Sequence, residues 1–148
     1  MIIGLGTDIA EVERFNFAPD KLERFAKKVF TTEEMKHALR HRHFAERLAG
    51  AFAAKEATRK AFGHAIPWRL VGVRHERSGK PYVALSGGAE RLTALRGISR
   101  MHLTISHSRT SAVATVILEA DELVAAPVPL ARSESIELES VELGESVA

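Results

Sequence analysis

A short apolar run interrupted by two glycines opens the chain: Ile2-Ile3-Gly4-Leu5-Gly6-Thr7-Asp8. Residues 2–8 read as a buried strand, and glycines inside a strand mark places where another backbone can come close. The run ends on a carboxylate, Asp8. A second carboxylate, Glu56, lies in a helical run of mostly small residues, Phe52-Ala53-Ala54-Lys55-Glu56-Ala57-Thr58-Arg59-Lys60-Ala61-Phe62. An acid at a strand edge and an acid on a small-residue helix face can share a hard divalent cation. Mg²⁺ takes only one or two protein carboxylates and fills its other positions with water and phosphate oxygens. Lys60, one helical turn beyond Glu56, sets a cation beside the same phosphate. The pattern points to phosphoryl-type chemistry on a diphosphate.

Each acid also has an ordinary structural reading. Asp8 and Glu11 form the D-x-x-E spacing of a helix cap. Glu56 and Lys60 are spaced as an i, i+4 surface ion pair. Against that, Ala49, Phe52, Ala53 and Ala57 place Glu56 near a buried stripe, where a carboxylate must be paired, protonated or metal-bound.

Three other motifs do not carry their usual chemistry. Gly4-Leu5-Gly6 lacks the third glycine of a dinucleotide fingerprint, because Ile9 follows Asp8. His37, His41 and His43 lie among Lys36, Arg40 and Arg42, whose positive charge opposes a metal cation. Ser106 and His107 are neighbours in a strand and point to opposite faces, which argues against a nucleophilic Ser–His pair. Ser106 reads as a donor to a phosphate or a strand-end cap. His107 reads as a phosphate or nucleotide contact or as a half-buried structural histidine.

The order of elements predicts an α+β fold with helices packed on an antiparallel sheet. After the first strand, Pro19 and Asp20 open a basic helix to about Lys28. Thr31 with Glu34 fits a capping box that starts the next helix. The helical pattern continues to Gly63, a C-cap, with a break near Arg40-His41-Arg42. Leu70–Arg77 and Tyr82–Leu85 form a hairpin around Ser78-Gly79-Lys80-Pro81. A short helix covers Gly88 to about Leu95, and Met101–Ser106 and Ala112–Leu118 form a second hairpin.

The 148 residues hold no cysteine, which excludes disulfides, thiolate zinc sites and a cysteine nucleophile. No apolar run approaches the roughly 20 residues of a membrane span, and no basic region precedes Ile2 as in a signal peptide. These features predict a cytoplasmic protein with no membrane partner. Charge is divided unevenly. Before Glu119 there are 20 basic and 11 acidic residues; from Glu119 onward eight acids face Arg132 alone. The body favours an anionic partner. A single Trp and a single Tyr offer little base stacking, so nucleic acid is not expected. Residues 1–120 read as one domain and 121–148 as a mobile acidic tail, able to fold back over the basic face.

Taken together, these segments resemble the holo-acyl-carrier-protein synthases, the small phosphopantetheinyl transferases. The matching stretches are Ile3-Gly4-Leu5-Gly6-Thr7-Asp8-Ile9 through Arg14, Phe30-Thr31-Thr32-Glu33-Glu34, Leu48 through Gly63, Gly79-Lys80-Pro81, and Thr104-Ile105-Ser106-His107-Ser108. The match runs to about residue 119 in the family's order. One departure is Ala51, where a basic residue is common.

The resemblance implies the phosphopantetheinyl transferase fold and a role in fatty acid and lipid biosynthesis. It implies transfer of the 4′-phosphopantetheine arm of coenzyme A to a serine of an acyl carrier protein, releasing adenosine 3′,5′-bisphosphate. It also implies Mg²⁺ and a homotrimer with sites between subunits. Asp8 and Glu56 match metal-ligand positions, and Lys60 matches a catalytic lysine at the diphosphate. Lys55, Lys80, Ser106 and His107 fall in coenzyme-binding segments. Arg14, Lys21 and Arg24 match the carrier-docking surface. A metal-bound water or Glu34 is the candidate base for the serine proton. A carrier-binding module without transfer, or a metal-dependent phosphatase, are the competing readings.

Overall fold

Alternation of large and small residues along the strands decides which faces the chain can cover. In this computed structural model, which describes residues 1–121, β1 (Ile2–Glu11) is followed by a 3₁₀ turn, Val12–Phe15, and by three helices. These are α1 (Pro19–Val29), α2 (Thr32–Leu39) and α3 (Phe44–Phe62). A hairpin of β2 (Val71–His75) and β3 (Pro81–Leu85) leads to α4 (Gly87–Leu95). The long strands β4 (Ile98–His107) and β5 (Ser111–Ala120) complete the fold. The α+β architecture is as expected, with one refinement: there are two antiparallel sheets, β1-β5-β4 and β2-β3. The acidic segment after Asp121 lies outside the described residues.

The registers Leu5↔Ile117, Ile9↔Val113 and Ser106↔Val113 align the faces of the large sheet. Ala112, Ala114, Val116, Leu118 and Ala120 of β5 are all buried, as are Gly6 and Ala10 of β1, and together they face α3. The opposite face is not covered: Leu5 is 65% exposed and Ile9 63%. The expectation of a wholly buried first strand is therefore corrected. The strand is also longer, because pairing with β5 runs on to Glu11↔Ser111.

The local signals act as their chemistry dictates. Thr31 Oγ1 accepts from the Glu34 N–H at 3.3 Å, and Glu34 Oε2 accepts from the Thr31 N–H at 2.8 Å, a complete capping box. Gly63 ends α3 at φ 61°, a left-handed position that costs glycine little. The break at residues 40–43 separates α2 from α3. Below these helices Phe15 packs on Phe52 at 5.6 Å between ring centres, with Phe25 and Phe30 around it. No described helix is long and apolar enough to cross a membrane.

Glu34 and Lys55 join the helices to the small sheet. Lys55 Nζ lies 2.9 Å from Glu34 Oε2, with both side chains buried. It also donates to the carbonyls of Trp68 and Val71, while Glu34 Oε1 accepts from the Val73 N–H at 2.7 Å. Burial pushes the Lys55 pKa down and the neighbouring Glu34 carboxylate partly restores it. Removing one member leaves the other charged and unpaired in the interior, which typically costs about 3–5 kcal/mol. Lys55→Ala is therefore expected to lower unfolding free energy by about that amount, read from urea denaturation. A loss of under about 1 kcal/mol would show that the pair does not hold the hairpin to the helices.

Candidate active site

Two glycines let β1 lie almost on the backbone of α3. A Cβ on Gly6 would come within 1.9 Å of the Ala57 carbonyl oxygen, and one on Gly4 within 2.4 Å of the Ala61 carbonyl oxygen. Asp8 is two residues beyond Gly6 on the same face, so it emerges beside residues 56–60 of α3. Lys60 Nζ donates to Asp8 Oδ1 at 2.8 Å and to the Thr7 carbonyl at 3.0 Å. The carboxylate of Asp8 is mostly shielded, whereas Lys60 is about half exposed. Asp8 thus caps no helix: it lies within β1 and pairs across to α3.

Glu56 lies one helical turn before Lys60 and has different partners. It pairs with Arg59 at 2.6 Å, and the Trp68 indole N–H donates to the same oxygen, Oε1. The Arg59 guanidinium stacks on the Trp68 ring at 4.7 Å. The expected Glu56–Lys60 surface pair is replaced by Glu56–Arg59 and Asp8–Lys60. The second oxygen of each carboxylate receives no hydrogen bond from the described residues. No group of three or more His, Cys, Asp or Glu placed to hold a metal occurs among the described residues. Asp8, bonded to Lys60, and Glu56, one helical turn before that lysine, would suit a cation that completes its shell with water and phosphate.

Two candidates from the sequence have other tasks. Lys55 is 0% exposed and cannot reach a ligand at the surface. Glu34 is buried, and both its oxygens are taken by Thr31, Lys55 and Val73. Protonating it would break the ion pair that orders the hairpin, which disfavours it as a base.

Of the remaining candidates, His107 and Lys80 lie at a groove of about 310 Å³ between α2, α3, the β2-β3 hairpin and β4. His107 lines it and points toward α3, its Nδ1 3.4 Å from Glu46 Oε2. Gly79 and Pro81, which flank the exposed Lys80, line it too. A more open depression of about 810 Å³ shares Glu46 and His107 and adds Arg42 and Arg109. Ser106 points to the uncovered face of the large sheet, away from α3, because it neighbours His107 in β4. On the α1 side, Arg14 sits over the Phe52 ring at 5.5 Å, and Lys21 and Arg24 are exposed, with Arg24 3.6 Å from Asp20.

Sequence reasoning missed Trp68 and Arg59 as holders of Glu56, and His75 and Arg47 as groove residues. Arg59, at i+3 from Glu56, had a usable spacing signal. Trp68 and His75 had none, since only the fold brings them near.

The class to which this α+β fold belongs comes from comparison with known proteins. The profile of the 4′-phosphopantetheinyl transferase superfamily matches residues 4–117. A holo-[acyl-carrier-protein] synthase of Halothermothrix orenii is 45% identical over 123 residues, covering 80% of this chain and 98% of that protein. One from Clostridium novyi is 40% identical over 124 residues, covering 82% and 90%. Among solved structures, the Bacillus anthracis holo-(acyl-carrier-protein) synthase in complex with CoA (3′,5′-ADP) is 34% identical with a TM-score of 0.67, covering 82% of this chain and 99% of that one. The Plasmodium yoelii holo-ACP-synthase is 30% identical with a TM-score of 0.71, covering 82% and 97%. The chain belongs to the 4′-phosphopantetheinyl transferase superfamily, among its holo-acyl-carrier-protein synthases.

The close approach at Gly6 yields a direct prediction. Gly6→Ala forces β1 away from α3 and shifts Asp8 relative to Lys60. Activity should fall at least about 100-fold, the size of loss that a displacement of about 1 Å in a site can cause. Steady-state kinetics alongside circular dichroism would check it; near-normal kcat/KM would show that the strand–helix spacing does not position Asp8.

Proposed function

We propose that this chain moves the 4′-phosphopantetheine group of coenzyme A to a serine hydroxyl of an acyl carrier protein, with Asp8, Glu56 and Lys60 at the reacting phosphates. The observation that carries the site assignment is the meeting of Asp8 and Lys60 beside Glu56, from segments about 50 residues apart in sequence. In the reaction the serine oxygen forms a bond to the β-phosphorus of coenzyme A. The bond from that phosphorus to the bridging oxygen breaks, and adenosine 3′,5′-bisphosphate leaves with the electron pair. The serine proton passes to water, since Glu34 is held by its buried partners.

Asp8 and Glu56 are the residues that would hold Mg²⁺, and when bound it would neutralise diphosphate charge and polarise the phosphorus. Lys60 brings a positive charge to the oxygens where negative charge grows in the transition state. Arg59 and Trp68 hold Glu56 in one orientation. The long groove suits the nucleotide end of coenzyme A, with His107 and Lys80 at its border. Only five residues of α3, about 7.5 Å of rise, separate Ala51 in the groove from Glu56. Lys21 and Arg24 on α1, with Arg14 stacked nearby, offer a basic face to an acidic carrier, an attraction that speeds encounter and weakens with salt. Such work fits a cytoplasmic location.

The uncovered sheet face supports assembly with further copies of the chain. Leu5 and Ile9 stand in register with Ile117 and Val113, an apolar strip across β1 and β5 that a partner can bury. We propose a homotrimer built on this face. Ser106 is on it, so a contact from Ser106 to coenzyme would be made at a subunit boundary.

The activity test is a mass measurement on an apo-acyl carrier protein incubated with coenzyme A, Mg²⁺ and this chain. A gain of one phosphopantetheine unit is expected, and chelation with EDTA should abolish it. Asp8→Ala and Glu56→Ala should each cut the rate by about 100-fold or more. Retained carrier binding without a mass gain would reduce the chain to a docking module. For the assembly, Leu5→Glu with Ile9→Glu should shift the sedimentation mass to that of one chain and remove most activity. A wild-type chain that already sediments as a monomer at full activity would refute the trimer.

A further inference from the structure

Among the described residues, a second cluster of titratable side chains lines the groove. His37 and His75 stack face to face, 4.0 Å between ring centres and 12° between planes. His41 meets the edge of His37 at 5.1 Å. These rings come from three places: α2, the turn after it, and β2. Arg47 of α3 lines the same groove, whereas Ala51, one turn further along that helix, contributes no charge.

The charged neighbours of the stacked pair are mostly of one sign. His37 is acted on by His75, His41, Arg47 and Arg40; His75 by Arg47 and His41. Burial is the first cause that lowers the pKa of both rings, and these cations lower it further. The acids that line the groove do not offset them. Glu34 is bound by Lys55, Thr31 and Val73, and Glu46 lies against His107. The groove therefore disfavours the protonated form of both stacked imidazoles and sets the Arg47 guanidinium beside them.

Such a wall is incomplete without an anion. A phosphate set against Arg47 and the rings would reverse the local field, favour imidazolium and gain charge-assisted hydrogen bonds. We propose that His37, His41, His75 and Arg47 form a proton-linked phosphate site that grips one phosphate of the coenzyme A nucleotide and takes up protons as it does so. This rests on the groove being the coenzyme site, as read above. The sign follows from the stacked pair: a bound dianion raises the His37 and His75 pKa values, which burial and the neighbouring cations lower, so affinity rises as pH falls from about 7.5 to about 6.

The test is isothermal titration of the full chain with coenzyme A in buffers of different ionisation enthalpy, which counts protons exchanged on binding. The wild type should take up protons, and its dissociation constant should tighten about tenfold between pH 7.5 and pH 6. In His37→Gln/His75→Gln the uptake should vanish and the pH dependence shrink to under about twofold. Dephospho-coenzyme A, which keeps the diphosphate but lacks the 3′-phosphate, identifies the phosphate gripped. Loss of wild-type proton uptake with this ligand assigns the 3′-phosphate; its retention assigns the diphosphate, and either supports the site. Coenzyme A binding without proton uptake, or uptake that persists in the double variant, would overturn the proposal and leave the transferase reading intact. No binding of coenzyme A to the wild type would overturn both.

Discussion

The contact between β1 and α3 is the constraint on which the rest of this molecule depends. Gly4 and Gly6 bring a strand backbone against the carbonyls of Ala61 and Ala57, closer than any side chain would permit. Alanines at 49, 53, 57 and 61 give the helix an equally thin surface, and small residues of β5 carry the same layer across the sheet. Packing at this distance leaves little freedom in the relative placement of the two elements. Asp8 and Lys60 consequently meet at hydrogen-bonding distance, and Glu56 lies one helical turn away. The proposed site of three charged side chains is held by backbone proximity, with aromatic and guanidinium support on the Glu56 side.

A second device sets the other wall. The buried Glu34–Lys55 pair links α2, α3 and the β2-β3 hairpin through carbonyl and amide contacts. Buried ion pairs add little net stability compared with a well-packed apolar alternative, but they tolerate few rearrangements, since each partner is costly to leave unpaired. Here the pair fixes the groove's far side relative to α3. The capping box explains why Glu34 is where it is: the same carboxylate that closes the first turn of α2 also reaches the hairpin. One residue thereby couples helix initiation to tertiary assembly.

The two faces of the large sheet divide the labour. The inner face is nearly all small or aliphatic and is covered by α3. The outer face presents Leu5, Ile9 and Val113 beside Ser106, with His102 hydrogen-bonded to Glu119 on the same side. Alternation along β4 sends His107 into the groove and Ser106 outward. Two residues adjacent in sequence thus belong to different surfaces.

Much of this was legible from the chain alone. Strand and helix periods, the Thr31–Glu34 cap, the Gly63 stop and the hairpin glycines are local, and local chemistry marks them. Asp8, Glu56 and Lys60 could be singled out because acids and lysines beside small-residue stretches are unusual enough to suggest a site. Partners could not be read the same way. Lys55 had the same outward chemistry as Lys60, yet its position on α3 turns it into the core, where Glu34 was waiting. Glu56 was spaced for Lys60 but bonds Arg59 and a tryptophan 12 residues on. The stack of His37 on His75 joins residues 38 positions apart through a fold that neither encodes. Sequence determined which elements form and which chemical groups the molecule has to offer. The tertiary structure alone decided which of those groups meet, because distance and burial arise only when faces pack.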